Sequence, residues 1–199
     1  MRAWRVPIVG HYRHDPFETL ISCLLSLRTQ DATTDAASAR LFALARTPQA
    51  MLRLPRRTVE RTIFPVGFYR TKARTILDVS RAIVEQHAGE VPSELDALLE
   101  LKGIGRKTAN LVITLAFRKY GICVDTHVHR ISNRWGYVRT KTPDETEMRL
   151  RRRLPRRHWR VYNDLLVAFG QNLCHPTSPW CSRCPLDGVC ARVGVTRSR

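Results

Sequence analysis

Four cysteines crowd into 17 residues near the C-terminal end, with the spacing Cys174-x6-Cys181-x2-Cys184-x5-Cys190. In a chain with no export signal, a cluster this dense points to a metal site rather than a disulfide framework. Four thiolates in one compact loop suit zinc or an iron–sulfur cluster. Zinc sites of four cysteines use two short knuckles, and only Cys181-x2-Cys184 has that spacing. The gaps of six and five residues favour the wider iron–sulfur cubane, and Pro179 and Pro185 restrict the path of the loop. The other two cysteines, Cys23 and Cys123, stand apart and are expected to be small buried residues rather than ligands.

Outside that loop the apolar residues recur at helical spacing. Phe17 to Leu27 is an apolar stretch, followed by Asp31 to Ala45 with Ala, Leu and Phe at helical intervals. Arg70 to His87 carries Ala73, Ile76, Leu77 and Ile83 on one face, with Thr71 as its expected N-cap. Ser93 opens a short amphipathic helix, and Gly105 to Phe117 gathers Leu111, Val112, Leu115 and Ala116 on one side. Further helices are expected at Thr126 to Arg134, Pro143 to Leu154 and Arg157 to Asn172. No stretch alternates with period two, so the chain reads as all-α. With 43% hydrophobic residues it can bury a core, which excludes wholesale disorder. The longest apolar run, Leu111 to Phe117, falls far short of a membrane span. Met1 to Gly10, interrupted by Arg2, Trp4, Arg5 and Pro7, does not read as a secretory signal. A soluble, cytoplasmic protein is expected.

Charge narrows the partner. Thirty-four Lys and Arg against 17 Asp and Glu give a net charge of +17, and a compact domain this basic repels itself unless it meets a polyanion such as nucleic acid. The segment Leu101-Lys102-Gly103-Ile104-Gly105-Arg106-Lys107-Thr108-Ala109-Asn110 lies between two expected helices. Glycines permit a tight turn and a close ligand approach, and the next helix offers its N-terminal N–H groups to an anion. That is a phosphate hook of the helix-hairpin-helix kind, although Gly-x-Gly alone equally describes an ordinary turn. Lys107 falls in the first turn of its helix, and a neutral lysine is an amine nucleophile towards a sugar carbon. Asp125, followed by Thr126 and His127, is a group that could relay a proton and stabilise an oxocarbenium ion. Taken singly, Lys107 reads more simply as a phosphate contact and Asp125 as an N-cap. The run Arg149, Arg151, Arg152, Arg153, Arg156, Arg157 and Arg160 fits an extended DNA footprint and a solvated face equally well.

These three motifs in this order resemble the endonuclease III family of base-excision DNA glycosylases, in the helix-hairpin-helix superfamily. The resemblance runs from about Phe17 to Cys190. It includes the hairpin with Lys107, Val124-Asp125-Thr126-His127 after it, and the six-two-five cysteine spacing. It implies two helical lobes with the DNA cleft between them: a six-helix barrel over residues 10–118, and a lobe of residues 1–9 and 119–199 holding one four-iron four-sulfur cluster on Cys174, Cys181, Cys184 and Cys190. It implies a bifunctional DNA glycosylase and abasic-site lyase that excises oxidised pyrimidines from duplex DNA, with a damaged nucleotide flipped out of the stack. Lys107 would attack the sugar C1′ to give a Schiff base, Asp125 would assist, and β-elimination would break the strand. DNA contacts are implied for Arg28, Gln30, Phe68, Lys102, Gly103, Ile104, Gly105, Arg106, Thr126 and His127. The cluster is expected to be structural and the protein a monomer, nucleoid-associated if bacterial.

The chain departs from the family pattern at several positions. Lys102 stands where the family has proline. Arg28 aligns with the family's gap-filling glutamine, with Gln30 two residues further on, so either is a candidate. Phe68 takes the place of the wedge leucine. The loop His175–Trp180 carries no Lys or Arg, where relatives have basic residues. Little precedes Pro16, so an N-terminal helix of the relatives is expected to be absent or removed. A monofunctional mismatch glycosylase would lack the nucleophilic lysine and carry an extra C-terminal domain, whereas this sequence has Lys107 and nine residues after Cys190. A non-catalytic DNA-binding or redox-sensing module would not need Lys107 together with Asp125.

Overall fold

Helix α1 (Pro16–Ser26) begins where three start signals coincide. Asp15 is extended and its side chain accepts from the Glu18 N–H at 2.8 Å, Pro16 occupies the first turn, and Glu18 faces the positive end of the helix. The computed structural model describes residues 15–199, and the expectations for residues 1–14, including the place of residues 1–9 in the cluster lobe, lie outside that range. After α1 come α2 (Asp31–Leu44), α3 (Pro48–Leu52), α4 (Arg56–Ile63), α5 (Tyr69–Gln86), α6 (Leu95–Glu100) and α7 (Arg106–Leu115). Their inward faces supply Leu20, Leu25, Leu41, Ile63, Ile76, Ile83, Leu98 and Val112, all fully buried in one core.

The described residues divide into two compact units at Lys119/Tyr120. The second unit, Tyr120–Arg199, contains α8 (Thr126–Arg134), α9 (Pro143–Arg153) and α10 (Trp159–Asn172), with short 3₁₀ turns at Arg156–His158, Cys181–Arg183 and Asp187–Val189. It has its own core, built on Ile122, Val128, Ile131, Leu150, Leu166 and Phe169. Helix α8 packs on α10 where Gly170 leaves room, since a Cβ there would lie 2.3 Å from His127 Nδ1. There is no β-strand among the described residues, and no helix among them is long and apolar enough to cross a membrane.

The element boundaries depart from expectation where local chemistry differs from periodicity. Helix α5 is capped by Phe68 in the left-handed conformation (φ 59°) rather than by Thr71, which lies inside the helix. The helix expected from Ser93 starts at Leu95, with Glu94 at its cap. Before α10, Pro155 is followed by a 3₁₀ turn, so the helix proper begins at Trp159. Helices α3 and α4, of five and eight residues, are too short to establish a period in the sequence.

Candidate active site

The hairpin of the first unit is held from beneath. Leu101 (1% exposed) and Ile104 (6% exposed) drop into the core, and the Ile104 N–H closes the turn on the Leu101 carbonyl at 2.9 Å. Ile104 can therefore meet a ligand through its backbone only. Gly103 crosses the turn at φ 96°, and a Cβ there would stand 2.6 Å from the Thr75 methyl. Gly105, the N-cap of α7, has open space where its Cβ would be. Neither Gly103 nor Gly105 donates its N–H to a backbone acceptor among the described residues, and Lys102 is exposed beside them. Such a helix start is suited to a phosphate oxygen. Lys107 follows in the first turn, half-buried. Burial pushes the Cys23 thiol in α1 up to about 12, with the charge of Lys107 opposing that rise. Cys23 therefore stays a neutral thiol and does not compete as a nucleophile.

Two further loops of this unit carry the residues expected to enter DNA. Arg28 follows α1 in a left-handed conformation (φ 53°), Gln30 caps α2, and both are exposed. Phe68 is 63% exposed, and the Arg28 guanidinium lies 5.8 Å from its ring centroid. The structure adds Phe64, 58% exposed and set edge-on to Tyr69 at 5.4 Å. Arg40 holds that loop by donating to the carbonyls of Thr62 (2.9 Å) and Phe64 (2.7 Å). An aromatic next to a proline carries no sign of its exposure in the sequence.

In the second unit, Asp125 is the N-cap of α8, its Oδ1 accepting from the Val128 N–H at 2.8 Å. The capping reading is therefore realised, and the cap fixes the carboxylate in place. Thr126 is exposed, and His127 Nδ1 lies 3.1 Å from Arg130 Nη2. That guanidinium also donates to the Cys174 carbonyl at 2.9 Å, and so ties the start of the cysteine loop to α8.

Cys174, Cys181, Cys184 and Cys190 line one cavity with Arg134, Trp135, Phe169, Trp180 and Arg192, enclosing about 340 Å³ of atom-free space that includes its opening. Burial pushes the Cys184 thiol up, opposed by the Leu186 backbone and reinforced by the other three cysteines, so Cys184 lies within electrostatic reach of each of them. Among the described residues no three His, Cys, Asp or Glu side chains converge as ligands of a single ion. One tetrahedral ion with bonds of about 2.3 Å would draw four sulfurs to about 3.8 Å from each other. Donors already face the sulfurs: Arg134 Nη1 is 3.3 Å from Cys174 Sγ, and the Arg192 N–H is 3.4 Å from Cys190 Sγ. Four cysteines on one cavity, with N–H groups aimed at two of their sulfurs, make a donor set that suits a thiolate-held metal group.

Two arginines from later in the chain lie against the end of the His175–Trp180 loop. Trp180 has the Arg183 and Arg199 guanidinium carbons 4.7 and 4.2 Å from its ring centroid. Arg199 also donates its N–H to Pro179 and accepts from the Ser182 N–H. The arginine run divides. Arg151, Arg153 and Arg156 lie over Trp159, Tyr137 and Tyr120, and Arg151 also pairs with buried Glu147 at 2.9 Å. Every member of the run except Arg151 is exposed.

Residues 21–156 match the HhH-GPD superfamily of base excision DNA repair proteins, which sets the class. The chain is 46% identical over 181 residues to the Endonuclease III of Thermotoga maritima, covering 91% of this chain and 85% of that protein. It is similar to a trapped Endonuclease III–DNA covalent intermediate, with a TM-score of 0.86, 37% identity, and coverage of 92% of this chain and 88% of that one. It also resembles a thermostable thymine-DNA glycosylase at a TM-score of 0.84 and 25% identity, covering 94% and 88% of the two chains. The chain belongs to the endonuclease III family.

The two hairpin glycines have different duties, and substitution separates them. Gly103→Ala adds left-handed strain and a clash with Thr75, and is expected to cost about 1–3 kcal/mol. Gly105→Ala meets nothing and is expected to cost no more than about 1 kcal/mol. Urea unfolding of both variants checks this, and equal losses would contradict it.

Proposed function

We infer that this protein removes a damaged base from duplex DNA and then cleaves the strand, as a DNA glycosylase and abasic-site lyase of base excision repair. The observation that carries this reading is Lys107 in the first turn of α7, directly after a Gly103–Gly105 hairpin that is open at Gly105, in a chain of the endonuclease III family. The substrate class we propose is oxidised pyrimidine, and the partner is duplex DNA carrying such a base or an abasic site. We propose that it works in the cytoplasm, at the nucleoid if bacterial, and as a monomer.

In the proposed sequence of events the hairpin N–H groups, with Lys102 and Arg106, grip the phosphate backbone, while Thr126 and His127 add contacts from the start of α8. Phe68 wedges into the stack and Arg28 or Gln30 fills the space left by the flipped nucleotide. The Lys107 amine attacks C1′. The bond from C1′ to the base breaks with its electron pair leaving on the base, which takes up a proton. Asp125 accepts the proton shed by the attacking nitrogen and offsets positive charge developing on the sugar. The nitrogen lone pair then expels O4′, which takes up a proton as the sugar ring opens, and the resulting iminium acidifies C2′. Loss of a C2′ proton and of the 3′ phosphate oxygen then breaks the strand on the 3′ side. A monofunctional glycosylase has no use for the Lys107 amine. Cys174, Cys181, Cys184 and Cys190 would hold one four-iron four-sulfur cluster, which supplies cross-links that fix the loop and takes no part in bond breaking.

Lys107→Gln is expected to abolish strand cleavage at a preformed abasic site while leaving duplex affinity near that of the unaltered protein. Appreciable cleavage by the purified variant would remove Lys107 from its role. Asp125→Asn keeps a competent cap, because Asn caps helices as well as Asp. It is expected to retain the fold while slowing base release about 10²-fold, and single-turnover rates within a few-fold of the unaltered enzyme would assign that work elsewhere. Metal analysis should find about four irons per chain in a brown protein, and Cys184→Ser should be colourless. Stoichiometric zinc without visible absorbance would overturn the cluster assignment.

A further inference from the structure

Lys72, on α5, is 8% exposed, and nothing in the reaction above uses it. Its ammonium donates to the carbonyls of Leu25 (2.8 Å) and Leu27 (2.6 Å) and to Thr29 Oγ1 (3.1 Å). The two carbonyls belong to the C-terminal end of α1, where a helix leaves acceptors unsatisfied and a cation is favoured. Three donors thus meet three acceptors. The Thr29 hydroxyl is also fully used, accepting from the Gly67 N–H at 3.2 Å and donating to the Leu27 carbonyl at 3.3 Å. One hydroxyl therefore joins the loop after α1 to the loop before α5. The junction is close, since a Cβ on Gly67 would lie 2.8 Å from the Arg28 carbonyl oxygen.

Arg28 and Phe68 flank this junction, and both hold left-handed backbones (φ 53° and 59°). Non-glycine residues keep such conformations when their surroundings over-determine them, at a cost of order 1–3 kcal/mol each. Burial pushes the Lys72 ammonium down to about 8, so its place in the fold rests on the three hydrogen bonds. An apolar side chain at this position would fill space and remove the ammonium that two carbonyls and a hydroxyl share, leaving the Leu27 carbonyl and Thr29 Oγ1 held by the weaker 3.3 and 3.2 Å bonds alone.

We propose that Lys72 is a positioning residue for lesion recognition: acting through Thr29, it sets the loop after α1 against Gly67 and so fixes where Arg28 and Phe68 project. This rests on the reading of Arg28 and Phe68 as residues that enter the DNA stack. The test measures affinity of the full chain for a duplex carrying a tetrahydrofuran abasic-site analogue and for the same duplex undamaged, so that the chemistry of Lys107 does not enter. Lys72→Met and Thr29→Val should each lower the preference for the lesion duplex about tenfold, the worth of one charge-assisted hydrogen bond. Affinity for undamaged duplex should stay within about twofold, because the phosphate grip is untouched. Thr29→Val, the milder change, decides the matter should Lys72→Met fail to fold. Preference retained in the folded variants overturns the inference, and so does a parallel loss of affinity for both duplexes. An unaltered protein with no preference for the lesion duplex overturns the proposed function itself, and this inference with it.

Discussion

Helix α7 can offer its first turn to a ligand because the turn before it is anchored from the inside. Leu101 and Ile104 are committed to the core, so the segment between them has to double back within four residues. Gly103 makes that possible, being the residue type that takes φ 96° so close to Thr75. Gly105 then leaves the helix start bare, and Lys107 is delivered one residue into the helix. The bare helix start and Lys107 thus share one support, and a shift in the turn moves both.

Asp125 shows the same economy. Its carboxylate caps α8 through the Val128 N–H, and that hydrogen bond fixes the orientation of the side chain. Helix α8 in turn carries Arg130 and Arg134, which hold the Cys174, His175 and Pro176 carbonyls and approach the Cys174 sulfur. The cysteine loop and the Asp125 cap are therefore two ends of one nine-residue helix. A cluster that fixed the loop would steady the position of Asp125 without touching substrate.

Much of this was legible because the relevant signals are local. The six-two-five cysteine spacing, the Gly-x-Gly turn and the Asp-Thr-His helix start lie within a few residues each, and α8 runs from Thr126 to Arg134 as its pattern predicts. Features set by distant partners were not legible. Lys72, within Tyr-Arg-Thr-Lys-Ala-Arg, reads as a solvated lysine, yet its acceptors lie 43 to 47 residues away. The arginine run fits a DNA footprint and a solvated face equally well in the sequence, and three of its members lie over aromatic rings that only the fold brings near. Arg199 reaches Trp180 through backbone pairing that no periodicity announces.

The central claim is that the Lys107 amine forms the bond to the sugar. Borohydride reduction during turnover on a lesion duplex, followed by proteolysis and mass spectrometry, reads out where that bond forms. The account predicts a single reduced deoxyribose remnant on the peptide containing Lys107. A remnant on Lys102 or Lys72 instead, or no covalent adduct with a lesion duplex that is being cleaved, would contradict it.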